Sequence, residues 1–293
     1  MQTIIPAIWC QGTADEMAQF YLDAFSTVPG GAEVLARRTY PETGLLDFQR
    51  PLAGKTLTVQ LRIGNMEMTL INAGGEFTPN PSIGIMLNFD PSVDKRAARN
   101  LDAVWDSLAP GGRILIERAE YPFSPRYGWV EDRFGVSWQF ILTRPEGDPR
   151  PFAMISLLFP SGARGDLARA ERLWTSVIPA SEIGRSVEEQ GAVVFSEFRL
   201  GGQWLTAMDS TAGENYPFTP GVSMMYTAHG QAEIDRVWEA LSAVPDAEQC
   251  GWLCDEFGVS WQIVPDNMEQ LLDRPGGFTR MLEMKKIEID GFR

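Results

Sequence analysis

Histidine is nearly absent from this chain: His229 is the one imidazole among 293 residues. That scarcity argues against a serine nucleophile activated by a histidine base, and against a histidine-rich site for a first-row metal. Cysteine is scarce as well, and three thiols make no disulfide framework. Cys250 and Cys254 lie four apart on what reads as a strand, roughly 13 Å from each other. A disulfide needs Cα atoms within about 7 Å. Positive charge is the third shortage, with 25 basic residues against 39 acidic ones and a net charge of −14. Such a field repels phosphate backbones and anionic lipid, so neither nucleic acid nor a membrane is an expected partner. No apolar run approaches the ~20 residues that cross a bilayer. The first ten residues lack the basic stretch and apolar core of a secretion signal, so the expected compartment is the cytoplasm.

What the chain does contain, it contains twice. Residues 128–139 and 251–262 are identical at nine of twelve positions. Each copy reads as two short strands joined by a turn that Asp132 or Asp255 opens and Gly135 or Gly258 closes. Beyond the turn, side chains alternate: Val136, Trp138 and Phe140 belong against a helix, while Ser137, Gln139 and Ile141 belong on a more polar face.

The rest of the chain falls into matching units. Ile4–Cys10 reads as a strand, and Thr13 with Glu16 has the form of a capping box before a helix with Met17, Phe20, Tyr21 and Phe25 on one side. Three strands follow, 34–40, 57–63 and 66–71, the last two joined at Gly64-Asn65. A second unit begins after Pro79 and ends in the repeated hairpin. Prolines 145, 149 and 151 with Gly147 then mark a boundary, giving an expected first domain of 1–148 and a second of 149–293. Leu101, Val104, Trp105 and Leu108 recur as Ile234, Val237, Trp238 and Leu241 at the same spacing, so the halves are a tandem duplication. Asn72 and Asp209 end equivalent strands and read as turn formers. The first half alone inserts 113–126, which opens on a strand at 113–116 and otherwise reads either as an aromatic and basic loop able to cap a pocket or as a surface connection with its aromatics tucked onto the sheet. Residues 268–272 and 278–284 read as short helices on the outside of the sheets or between the domains.

These features resemble a family. The order β-α-β-β-β used twice per domain resembles the vicinal oxygen chelate superfamily of glyoxalases, extradiol dioxygenases and bleomycin-resistance proteins. More narrowly, Ile5-Pro6-Ala7-Ile8-Trp9, Ala18-Gln19-Phe20-Tyr21 and the two hairpins look like the PhnB-like family, often labelled 3-demethylubiquinone-9 3-methyltransferase. The resemblance implies an α+β fold of two tandem glyoxalase-like domains, each of two βαβββ modules forming a curled, mostly antiparallel eight-stranded sheet. In metal-using relatives, histidine and glutamate from the first, fourth, fifth and last strands hold a divalent ion at the bottom of the cup. Carried over, those positions fall on Pro6, near Met68 and Gly84, and on Gln139 and Gln262. No metal is therefore expected. A nucleotide-type cofactor is not expected either, since Ala73-Gly74-Gly75-Glu76 leads towards another strand rather than a helix N-terminus.

The candidate ligand-binding residues are Gln139, Ser137, Trp129, Arg126 and Tyr127 in the first half, and Gln262, Ser260 and Trp252 in the second. Cys254, standing where the first half has Glu131, has no visible base or cationic partner and reads as an inert thiol. The expected function is metal-independent binding of a small molecule. Alternatives are a transferase or isomerase of the same family, including the labelled methyltransferase activity, and a purely structural role for the second domain. The two domains are expected to pair within the chain as subunits would, with a further homodimer left open.

Overall fold

The structure, a computed structural model, describes residues 2–144, 146, 148–210 and 215–293. Pro145 and Gly147 of the expected boundary stretch lie outside the described residues. Module one contains β1 (Ile4–Cys10), α1 (Ala14–Ala24), β2 (Ala32–Thr39), β3 (Thr56–Ile63) and β4 (Met66–Asn72). Module two contains β5 (Ile83–Phe89), α2 (Ala97–Leu108), β6 (Arg113–Tyr121), β7 (Ser124–Glu131) and β8 (Ser137–Leu142). Module three repeats the plan with β9 (Ala153–Phe159), α3 (Asp166–Val177), β10 (Glu182–Glu189), β11 (Ala192–Leu200) and β12 (Gln203–Asp209). Module four is one strand short: β13 (Val222–Ala228), α4 (Gln231–Leu241), β14 (Trp252–Cys254) and β15 (Ser260–Pro265). Two short helices, α5 (Met268–Leu272) and α6 (Gly277–Leu282), close the chain.

The strand expected at 113–116 forms and runs on as β6 to Tyr121, and the remainder of the insertion, read as a loop or surface connection, is the end of β6 and the start of β7. The helix start also differs in detail from its expected form. Thr13 makes no side-chain cap bond; the Ala14 N–H donates instead to Asn72 Oδ1 at 2.9 Å, so the residue ending β4 caps α1.

The modules combine into two sheets, and each sheet takes one module from each half of the chain. The seven-stranded sheet runs β14-β15-β13-β1-β4-β3-β2, and the eight-stranded sheet runs β10-β11-β12-β9-β5-β8-β7-β6. β1 pairs antiparallel with β13, and β5 with β9. Modules one and two share no ladder among the described residues, so neither sheet is completed within a half. The driving force is the open edge of each module: unpaired N–H and C=O groups on β1, β5, β9 and β13 must find partners. Each sheet thereby buries its seams at the centre, where β5 and β9 are buried along their whole length. The outer strands β2, β6 and β10 carry the charged residues that blunt exposed edges.

Two reciprocal clasps fasten the sheets to each other. The turn between β3 and β4 sends Asn65 to both backbone groups of Ala153, at 2.8 and 3.0 Å. The turn into β12 sends Gln203 Oε1 to the Thr3 and Ile4 N–H groups, at 2.9 and 2.6 Å. Gly64 is required in its turn: its φ is +56° and an added Cβ would lie 2.7 Å from the Phe152 ring.

The helix-facing sides of both sheets and all four long helices form one core. Trp138, Trp174 and Trp261 are fully inaccessible within it, in line with the helix-facing place expected of Trp138. The repeated aspartate links parts that no ladder joins. Asp132 accepts hydrogen bonds from the Phe134 and Val136 N–H groups, from Trp138 Nε1 and from Tyr21 of α1. Asp255 does the same with Phe257, Val259, Trp261 and Trp174 of α3. Each aspartate thus ties a hairpin to the first helix of its own half, across the boundary between sheets.

Candidate functional site

Both sheets are curled. Trp9 on β1 and Trp252 on β14 are three strand positions apart, which on a flat sheet is about 14 Å. Their rings nevertheless meet edge to face at 5.9 Å. Strand parity then sorts every side chain. Ile4, Ile8, Met68, Met224 and Trp261 face helices, while Ala7, Thr69, Ser223 and Gln262 face the concave side. In the other sheet the corresponding concave row holds Ser156, Thr206, Gly84 and Gln139.

Each floor centres on a glutamine bonded to a serine. Gln262 Nε2 donates to Ser223 Oγ at 2.9 Å, and Gln139 Nε2 donates to Ser156 Oγ at 3.1 Å. Ser156 lies beyond β5, within reach because Gly84 intervenes without a side chain; a Cβ there would sit 2.6 Å from the Ser137 carbonyl oxygen.

The roofs of the two cups differ. In the eight-stranded cup, Tyr127 OH donates to Gln139 Oε1 at 2.9 Å and Trp129 Nε1 to Ser137 Oγ at 2.6 Å. Both rings are 7% exposed, and Tyr121 and Phe123 pack on Tyr127. Burial raises the Tyr127 phenol further above its ordinary pKa, so it remains a donor. This cup is filled by its own side chains. In the seven-stranded cup, Trp9 and Trp252 are only partly buried, and Trp9 Nε1 donates sideways to the Gly74 carbonyl at 2.7 Å. Gln262 Oε1 accepts no hydrogen bond among the described residues.

The structure thus brings together Gln139, Ser137, Trp129 and Tyr127 in one cup and Gln262, Ser260 and Trp252 in the other. Arg126 is a correction. It lies on the opposite face of β7 from Tyr127 and pairs with Asp102 of α2, so it reaches neither cup. The positions carried over for a metal also change: Pro6 and Met68 face the helices, and Ala7 and Thr69 take their place on the floor. Trp9, Thr69, Ser223, Ser156 and Thr206 escape a reading of the sequence, because the floor strands pair across the two halves of the chain. Parity alone places them once the strand partners are known.

Hydroxyls and a carboxamide do not make the imidazole and carboxylate set that a first-row divalent ion needs, and this floor does not fit such a group. Among the described residues no three His, Cys, Asp or Glu side chains converge. His229 stands exposed between β13 and α4, 2.9 Å from Asp266. The carboxyls pushed above their ordinary range by desolvation, buried Asp132, Glu171 and Asp255 and partly buried Asp209, belong to the helix side or strand ends, not to a floor. Burial likewise raises Cys250 and Cys254, which disfavours the nucleophilic thiolate at neutral pH. The cups can bind and orient; they hold no acid–base pair among the described residues. Residues 73–76 form a bend leading to coil, not a phosphate-binding helix start.

Paired βαβββ modules closing two cups define a glyoxalase-like protein. More narrowly, the chain belongs to the family described as 3-demethylubiquinone-9 3-methyltransferase, which matches residues 2–141 and 153–264. It is similar to a PhnB protein from Bacillus cereus at 26% identity, covering 48% of this chain and 100% of that one with a TM-score of 0.40. Glyoxalase I from Zea mays matches at 13% identity over 97% of this chain and 95% of its own, with a TM-score of 0.53. A glutamate-to-glutamine variant of that enzyme matches at 15% identity, 92% and 94% coverage and a TM-score of 0.51. The glyoxalase likenesses carry the fold alone. No curated protein matches the chain.

Proposed function

We propose that the protein binds a small, planar, amphipathic molecule in the seven-stranded cup without a metal ion. The observation that carries this reading is the unequal treatment of two equivalent glutamines. Gln139 is capped by Tyr127, whereas Gln262 presents an unengaged carbonyl beneath two partly exposed tryptophans. Half-exposed aromatic walls over one oriented polar group are the usual make-up of a small-ligand site. Trp9, Trp252, Met225 and Ile71 supply the apolar surface, and Gln262, Ser223 and Thr69 the polar floor.

Native mass spectrometry of the purified chain, with and without prior chelator treatment, tests this. The expected result is a co-purifying organic adduct that survives chelation and is lost in Trp252→Ala. A stoichiometric divalent metal whose removal strips the adduct would overturn the metal-free reading. An adduct indifferent to Trp252→Ala and Gln262→Leu would leave this cup with a structural role only. The family description motivates one further arm: methyl transfer from S-adenosylmethionine to a quinone precursor, followed by mass, for which neither cup supplies an acid–base pair among the described residues.

A further inference from the structure

We infer that the ligand of the seven-stranded cup presents a phenol-type hydroxyl to Gln262, and that Tyr127 is the protein's own copy of that ligand, seated in the other cup. The inference rests on the reading that the seven-stranded cup binds a small molecule, and it names the chemistry.

The two cups are related by position. β8 corresponds to β15, Gln139 to Gln262 and Trp129 to Trp252. Both glutamines spend their Nε2 on a serine hydroxyl, so both point the carbonyl oxygen away from the floor strands. In the eight-stranded cup that oxygen takes a phenol proton at 2.9 Å. The phenol ring is held edge-on by Tyr121 at 5.8 Å and Phe123 at 5.1 Å, in the aromatic geometry that ring quadrupoles favour.

In the seven-stranded cup the residue at the Tyr127 position is Cys250, and among the described residues no strand corresponds to β6. Cys250 has a left-handed backbone, φ +53°, and its N–H is taken by the Met284 carbonyl at 2.7 Å. Among the described residues the chain therefore offers this carbonyl no aromatic hydroxyl of its own. Trp252 remains, packed edge to face against Trp9. A ligand that takes the place of the Tyr127 hydroxyl meets the Gln262 carbonyl oxygen, an acceptor, and so donates to it. An anion is the wrong partner: Arg38 is committed to Glu269 and Asp273, and Arg62 to Glu33. A phenol, with an ordinary pKa near 10, keeps its proton at neutral pH and can donate it.

The test uses the full chain labelled with 5-fluorotryptophan, the Trp252 fluorine resonance being assigned with Trp252→Phe. Three probes are titrated: p-cresol, its donor-free analogue 4-methylanisole, and benzoate. The expected result is a saturable shift with p-cresol, about tenfold weaker binding of 4-methylanisole, the worth of one net hydrogen bond, and no preference for benzoate. Gln262→Leu should erase the difference between p-cresol and 4-methylanisole, and Gln262→Glu, which keeps an acceptor, should retain it. Equal binding of those two probes to the unaltered chain would overturn the phenol inference and leave the cup reading intact. So would a preference that survives Gln262→Leu. A Trp252 resonance that none of the probes moves would overturn the cup reading and the inference with it. Tyr127→Ala combined with Gln262→Leu, which removes the preference of the seven-stranded cup, gives an independent check on the template: p-cresol should raise the melting temperature of the double variant more than 4-methylanisole does, and equal effects would contradict the assignment.

Discussion

Asp132 is 3% exposed, yet its carboxyl receives four hydrogen bonds, two from backbone and two from side chains of different elements. Replacing it with Asn puts an amide N–H₂ against Trp138 Nε1, donor against donor. Asp132→Asn should therefore cost about 2–3 kcal/mol in urea denaturation with an unchanged m-value. Desolvation is the largest influence on Asp132 and on Asp255, and it outweighs the donors, so both sit above the ordinary 3.8. The folded state then holds protons that the unfolded chain has released. These carboxyls stabilise the fold most below pH 3.8 and lose that contribution as the pH rises through their raised values. Relative to the unaltered chain, the double variant Asp132→Asn, Asp255→Asn should show a flatter fall in stability over that window in urea melts at stepped pH. Much of this is legible in the residues: alternation along the hairpin puts Trp138 on the helix and Gln139 on the floor. Arg126 is the exception. Its segment reads as a loop, where neighbours such as Tyr127 need not face opposite ways, and on the strand that forms there they must.

At the level of elements, the missing strand of module four decides most of the contrast between the cups. β14 is only three residues long, and the C-terminal segment pairs with the chain just ahead of it through Cys250 to Met284 and Gly251 to Lys285. α5 and α6 then reach the far edge of the same sheet, where Arg38 of β2 holds Glu269 and Asp273 and Phe278 meets the Tyr40 ring. These carboxylates are 60% and 70% exposed, so Arg38→Ala should cost no more than about 1 kcal/mol. Its signature is local: faster hydrogen exchange across 268–282, with α1 unaffected. The existence of two short helices here is readable from sequence. Their bridging of the two sheet edges is not, because it depends on Arg38 meeting Glu269 and Asp273 from the opposite end of the chain. Gly84→Ala bears on the other cup. Its new Cβ would press on Ser137, so the variant should lose about 2 kcal/mol by overpacking, read as a lowered denaturation midpoint.

Taken as a whole molecule, the chain is a pair of cups, each shared between the two halves. The tandem repeat, the module order and the strand faces follow from residues such as Trp105 and Trp238 at equal spacing. Which edge pairs with which does not: β1 presents the same alternating pattern to β5 as to β13, and sequence periodicity cannot choose between them. The choice moves Ser223 and Met225 beside Ala7 and Ile5, and it supplies half of each floor from the opposite half of the chain. The most direct measurement is the molar mass in solution of the isolated fragment 1–148 by light scattering. With β1 and β5 both deprived of partners, the fragment should self-associate as a dimer, and adding fragment 149–293 should convert it to a one-to-one complex. A folded, cooperative monomer of 1–148 would mean that β1 closes on β5 within one half, and would contradict the shared-cup architecture on which the site depends.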